Sequence, residues 1–290
     1  MLSIFTTPKD FTGEFNIIQK NALNSWRALS DEIEIILIGK SLGISEVAKS
    51  IHAIHIKDVE KSPYGTPTIS GLFQTAQKIA QNNILCYVNA DIILPESVIN
   101  VIHALQHVKG KFMAVGHRWD LDVKDSIPFM DNTLQSKFWS EAKKNAQKHP
   151  CTGIDYFIFN KGTFQNLPSL AIGRFGWDNW LLWKARRMRI PLIDVSDEIF
   201  AIHQNHSYTF NKFKGKSDIL SGREGKKNQQ ITKGNTLNLL DANYHMVGGK
   251  IEKKRSKEYI NRNLGKLANI FPELSIPLNL YKKFYRKYLL

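Results

Sequence analysis

The 290-residue chain holds only two cysteines, Cys86 inside an apolar run and Cys151 beside a proline, so no disulfide framework is implied. That usage suits a reducing compartment. No apolar run approaches the ~18 residues of a membrane-spanning helix, and the N-terminus lacks a charged-then-apolar leader. The expected setting is therefore cytoplasmic, with peripheral attachment to the inner face of a membrane as the second option. Glycine-rich phosphate loops are missing too. Neither GxGxxG nor a Walker A sequence occurs, which excludes the phosphate cradles of dinucleotide and P-loop enzymes. Any bound phosphate must meet a metal or basic side chains instead. Internal repeats and low-complexity runs are also absent. The 42% hydrophobic content is ordinary for one large α/β core.

Acidic residues are scarce at one end only. Residues 1–210 carry 22 Lys and Arg against 20 Asp and Glu, whereas residues 211–290 carry 18 against 6, so nearly all of the net charge of +14 lies late in the chain. Such an extension attracts polyanions, among them anionic lipid headgroups and nucleic acid. As a helix, the last residues place Leu278, Tyr281, Phe284, Tyr285, Tyr288 and Leu289 on one face and Lys282, Lys283, Arg286 and Lys287 on the other. That pattern suits either a membrane interface or a helix docked by its aromatics on the rest of the protein. Gly215 to Gly234, rich in Gly, Lys, Ser and Gln, reads as a mobile loop.

Ile84–Val88 is a short apolar run of strand formers that ends at Asn89-Ala90-Asp91. A strand stopping there points a carboxylate out of the carboxyl edge of a sheet, where open α/β folds bind ligands, and hard oxygen donors there suit a divalent cation bridging to a diphosphate. The competing explanation is an Asx turn. Gly173 to Trp183 is a glycine-punctuated turn running into helical spacing, with Asp178 in or near the first turn, as a cap or as a chemical group. Glu198–Ile202 reads as a strand delivering His203-Gln204-Asn205-His206, whose two histidines are metal-ligand candidates or ordinary hydrogen-bonding groups.

Leu2–Pro8 reads as a first strand opening into a polar loop, and Ile33–Gly39 as a second strand followed by a helix over Ile44–Ser50. A turn at Tyr64–Ser70 leads into a helix from about Ile69 to Gln81, so strand and helix alternate up to the Ile84 strand, as a parallel arrangement requires. Phe112–Gly116 is a further strand running into Arg118, Trp119, Asp120 and Asp122. These could offer a stacking face and hydrogen-bond acceptors to a sugar; alternatively Arg118 pairs with a neighbouring acid and Trp119 is core. Gly153–Phe159, with Asp155 and Tyr156, is another strand.

In this order, Asn89-Ala90-Asp91, Asp178 and His203 or His206 resemble the motifs of the GT-A fold of nucleotide-sugar-dependent glycosyltransferases, over about residues 2–208. The chain departs from that pattern where Asn89 replaces an acid, which removes one anionic ligand. The resemblance implies a Rossmann-type mixed α/β sheet flanked by helices over residues 1–250, with a basic helical extension over 251–290. It implies transfer of a hexosyl or deoxyhexosyl group, with inversion, from a UDP-sugar or similar donor to a glycan or lipid-linked acceptor. Thr6, Thr7, Pro8, Asn89 and Asp91 would contact the donor, and the 215–234 loop would close over it. Asp91 with His203 or His206 would hold Mn2+ or Mg2+, imidazole favouring manganese. Asp178 would be the general base, and Arg118, Trp119, Asp120, Asp155 and Trp177 would face the acceptor. The rival enzyme class is a sugar-nucleotide nucleotidyltransferase, whose glycine-rich, basic signature Thr6-Thr7-Pro8-Lys9 lacks. The non-enzymatic rival is a basic nucleic-acid-binding protein, which leaves acids and histidines at strand ends of the neutral part unexplained.

Overall fold

The computed structural model describes residues 1–206 and 221–274. The amphipathic segment 278–290 and residues 215–220 of the glycine-rich loop lie outside the described residues. The chain begins as expected of an α/β protein, with strands β1 (Leu2–Thr6), β2 (Glu34–Ile38), β3 (Ile54–Ile56) and β4 (Ile84–Val88) all running parallel. They are joined through helices α1 (Gly13–Arg27), α2 (Ile44–Ser50) and α3 (Ile69–Ile79). Their near-continuous apolar sequences fit strands covered on both faces. Ile4, Ile35, Leu37, Cys86 and Val88 face a core shared with Leu23 and Trp26 of α1, while Phe5, Ile36, Ile38, Leu85 and Tyr87 face the opposite core with Leu72 and Phe73 of α3. The period of two along each strand thus divides the apolar residues between two layers of helix.

The remaining elements are β5 (Ile92–Ile93), α4 (Ser97–Gln106), β6 (Met113–Val115), β7 (Arg118–Leu121), α5 (Asn132–Asn145), β8 (Gln147–Lys148) and β9 (Tyr156–Asn160). They are followed by α6 (Trp177–Arg187), β10 (Leu192–Asp194), β11 (Ala201–Gln204), α7 (Arg223–Thr232), β12 (Tyr244–Val247), β13 (Lys250–Lys253) and α8 (Lys257–Ile270). The main sheet has nine strands in the order β13-β12-β10-β6-β9-β4-β1-β2-β3, and a second sheet has four in the order β5-β11-β7-β8. The main sheet is mixed because β9 is inserted antiparallel between β4 and β6. The fold is a mixed α/β sheet flanked by helices.

Several boundaries differ from the sequence reading. The strand expected from Gly153 starts at Tyr156, and the strand expected over Glu198–Ile202 starts at Ala201 and includes His203, because pairing with β7 extends it. Within the expected glycine-rich loop, residues 223–232 form α7. Asn228 fixes that helix by exchanging side-chain hydrogen bonds with the backbone of Ala171, both at 2.9 Å. The expected boundary at residue 250 falls inside the β12–β13 hairpin of the main sheet. Beyond it, α8 is bound to α6 through Arg186 and Asn263 at 2.8 Å. The described part of the extension is therefore built into the main domain.

Trp26 ties the two sheets together. Its ring is fully buried and its indole N–H donates to the Ile92 carbonyl in β5 at 2.8 Å. Replacing it with alanine removes both the packing and the bond. Trp26→Ala should cost about 3–5 kcal/mol in denaturant unfolding; a change within about 0.5 kcal/mol, the range of surface substitutions, would show that the tie is dispensable.

Candidate active site

The chain moves outward from β1 to β2 and β3, then returns to the other side of β1 as β4. Such a reversal opens a crevice at the carboxyl ends of the two central strands. A cleft of about 560 Å³ lies there. One wall is formed by Thr7, Pro8 and Lys9 after β1, by Gly39 to Ser41 after β2, and by Asn89 to Asp91 after β4. Gly39 has φ +132°, a backbone conformation that side-chain-bearing residues rarely adopt, so glycine suits the turn after β2. The opposite wall comes from the turn at Gly65–Pro67 and from Ile172 to Arg174.

Asp91, His203 and His206 meet in this cleft, one ligand atom of each lying within 4.8 Å of the others. The two-residue strand β5 causes the convergence. It begins directly after Asp91 and pairs antiparallel with β11, with His203 opposite Ile92. Gln204 reinforces the junction by donating its backbone and side-chain N–H groups to the Asp91 carbonyl, at 3.2 and 3.1 Å. His206 packs against the ring of Phe15 in α1, with centroids 5.1 Å apart. Its Nε2 lies 3.2 Å from Asp91 Oδ2, and that of His203 lies 3.9 Å from the same oxygen.

Burial disfavours the Asp91 carboxylate, but the His206 bond and the charges of His203, His206 and Lys9 outweigh it and hold the group well below the usual range. Burial likewise opposes charge on His203, yet Asp120 and then Asp91 raise its pKa. The other oxygen of Asp91, Oδ1, is buried without a hydrogen-bond partner among the described residues. One hard oxygen and two imidazoles fit a divalent transition metal such as Mn2+ better than Mg2+.

Asn89 stands outside the trio. Its Oδ1 accepts from the Tyr87 hydroxyl at 2.8 Å, and its Nδ2 donates to Asp155 Oδ1. An acid at this position would set two carboxylates against each other, which gives a local reason for the departure from Asp. Asp155 and Arg118 both line the cleft and pair at 2.7 Å. Arg118 Nε is also 3.1 Å from Asp120, so the ion-pair alternative for Arg118 holds and extends to a second acid.

Other sequence candidates fall elsewhere. Asp120 is not part of the cleft wall; it contacts His149 Nδ1 at 2.5 Å and His203 Nδ1 at 3.1 Å, the latter off the ideal hydrogen-bond line. Thr6 is fully buried within β1, whereas Thr7 and Pro8 line the cleft. Trp119 packs on Phe200 with centroids 5.0 Å apart, away from the cleft. Trp177 is core, edge-on to Tyr87 at 5.5 Å, because it enters α6 on the buried face; neither tryptophan is part of the cleft lining.

Asp178 is not the N-cap of α6, a place taken by Gly176 with φ 80°. It sits inside the first turn, where its carboxylate accepts from the Asn179 N–H at 2.9 Å. Burial pushes its carboxyl up to about 7; the Asn179 bond opposes this and the charge of Asp155 adds to it. Asp178 does not itself line the cleft but feels two residues that do, Asp155 and Arg118.

Two further cations, Arg174 and Lys9, line the cleft. Arg174, in the glycine-punctuated turn, bonds Glu224 of α7 at 2.9 Å, and Thr66 joins the same carboxylate at 2.7 Å. Lys9 follows the Thr-Thr-Pro loop; burial lowers its pKa, and the nearby Asp91 works against that shift. His149 gave no sequence signal, since its partner lies 29 residues away.

No protein-family model matches the chain, and no curated protein matches it. Among solved structures it is similar to glucosyl-3-phosphoglycerate synthase of M. tuberculosis, at 12% identity and TM-score 0.48, over 81% of each chain. It is similar to residues 1–349 of S. aureus TarS at 12% identity and TM-score 0.47, over 70% of this chain and 60% of that one. The mannosyltransferase PcManGT from Pyrobaculum calidifontis, solved with GDP-Man and Mn2+, gives 14% identity and TM-score 0.46, over 72% of this chain and 58% of that one. Likeness at this level assigns no role to any residue here.

The raised Asp178 pKa has a consequence for stability. In the native state the carboxyl keeps its proton up to about 7, while in the unfolded chain it releases it near pH ~4. The native state therefore binds more protons in that window, and the contribution of this group, fully present below about pH 4, is lost as pH rises to about 7. Asp178→Asn keeps the shape without ionising. Its stability relative to the parent should rise between about pH 4 and 7 and then stay constant. Parallel stability–pH curves from denaturant titrations would show that Asp178 ionises normally.

Proposed function

We propose that the protein is an inverting, metal-dependent glycosyltransferase that moves a sugar from a nucleotide diphosphate, with a UDP-sugar as the first donor to test, to an acceptor hydroxyl. The observation that carries this reading is the Asp91, His203 and His206 trio, set in a cleft at the carboxyl ends of the central strands. Those three residues would hold the divalent metal, which when bound supplies positive charge to the leaving diphosphate. Lys9 and Arg174 add basic groups to the same cleft, in place of the glycine-rich phosphate loop the sequence lacks. Thr7 and Pro8 after β1 and Gly39 to Ser41 after β2 line the part of the cleft where the nucleoside would sit.

Chemistry then needs one base. Asp155 is engaged with Arg118 and Asn89, whereas Asp178 titrates at about 7, near the pH at which it would have to accept a proton. In the proposed step the acceptor oxygen bonds to the anomeric carbon as the bond from that carbon to the diphosphate oxygen breaks. The bonding pair leaves with the nucleoside diphosphate, and the hydroxyl proton passes to Asp178, which stands behind Asp155 and Arg118 outside the cleft lining, so this step requires the bound acceptor to open a path to it. A single displacement of this kind inverts the anomeric carbon.

Two variants test the reading. Asp91→Ala should abolish the Mn2+-dependent part of UDP binding in a thermal-shift assay and leave the ligand-free melting temperature near that of the parent. Retention of Mn2+-enhanced binding would remove Asp91 from the site. Asp178→Asn should lower turnover by roughly two to four orders of magnitude at unchanged donor affinity; full activity would make Asp178 structural and transfer the search for a base to Asp155.

A further inference from the structure

We propose that Asp120 is a positioning residue that aims the metal ligand His203. This rests on the metal reading above and assigns Asp120 a place outside the acceptor site that the sequence suggested. Strands β7 and β11 run parallel with Asp120 directly opposite His203, so the two side chains meet on one face of the second sheet. His203 Nδ1 lies 3.1 Å from Asp120 Oδ1, and its Nε2 faces Asp91. The Nδ1 contact lies off the ideal hydrogen-bond line, and a small turn of the ring lets Nδ1–H donate to the carboxylate, which leaves Nε2 with the lone pair a metal needs.

Asp120 cannot easily swing away, because Arg118 holds one of its oxygens at 3.1 Å and His149 the other at 2.5 Å. Arg118 is in turn fixed by Asp155, itself bonded to Asn89. Arg118 stands two residues before Asp120 on the same strand, so the alternation of β7 puts the arginine and the acid on one side. His203 is nearly fully buried, with 5% of its side chain exposed, so solvent offers its ring no substitute partner. Asp120 does not line the cleft and reaches it through His203 and Arg118.

The test is Mn2+ binding to the full chain without nucleotide, followed by electron paramagnetic resonance of the free ion. The parent should bind one ion and Asp91→Ala should lose it; equal binding by both would overturn the metal reading together with this inference. Asp120→Asn should weaken Mn2+ about 10–100-fold and, at saturating Mn2+, leave KM for the acceptor unchanged. Unchanged Mn2+ affinity in Asp120→Asn, with Asp91→Ala defective, overturns the positioning role alone. A raised acceptor KM with normal Mn2+ affinity returns Asp120 to the acceptor site. Imidazole nitrogen NMR of the metal-free parent, read at a pH where the His203 ring carries a single proton, needs no variant: that proton should sit on Nδ1, and a proton on Nε2 overturns the proposal.

Discussion

The pairing of β5 with β11 is the constraint on which the site depends. Asp91 and His203 are separated by more than a hundred residues, and two strand residues, Ile92 and Ile93, bring them together by hydrogen bonding to His203 and Ile202. Both isoleucines are fully buried, and Trp26 of α1 bonds the backbone of Ile92 from behind. Apolar packing thus fixes the position of the polar cluster. The second sheet is the frame that aligns the end of β4 with the histidines, and the main sheet supplies the cleft they occupy.

Charge in the site is arranged so that few acids stand alone. Asp91 is set against His206, Asp120 against Arg118 and His149, and Asp155 against Arg118. Asn89, where an additional acid would crowd Asp155, is a neutral carboxamide that donates to it. Asp178 is the carboxyl whose environment favours protonation, through burial and the neighbouring charge of Asp155. One cluster therefore contains a carboxylate held ionised and another whose proton affinity is tuned near neutrality.

Much of this was legible in the sequence where local pattern decides structure. The runs Leu2–Thr6, Glu34–Ile38 and Ile84–Val88 are apolar enough to declare themselves as strands, and α2 and the start of α6 follow from periodicity and a glycine stop. The trio of Asp91, His203 and His206 was legible as three separate candidates because each sits at or near a strand end. Helix α1 was missed although Phe15, Ile18, Ala22 and Trp26 carry helical spacing, since polar residues are interspersed through it. Other features had no local signal. The antiparallel insertion of β9, the partners of Asp120 and the burial of Trp177 depend on which strands pair and which face a helix buries. A tryptophan beside candidate site residues reads equally well as a stacking surface or as core until packing is known.

The most direct measurement is anomalous diffraction at the manganese edge from crystals of the protein grown with Mn2+ and UDP. The account predicts one strong peak within coordination distance of an Asp91 oxygen and of Nε2 of at least one of His203 and His206. A peak elsewhere in the cleft, or density for UDP with no metal beside Asp91, would contradict it.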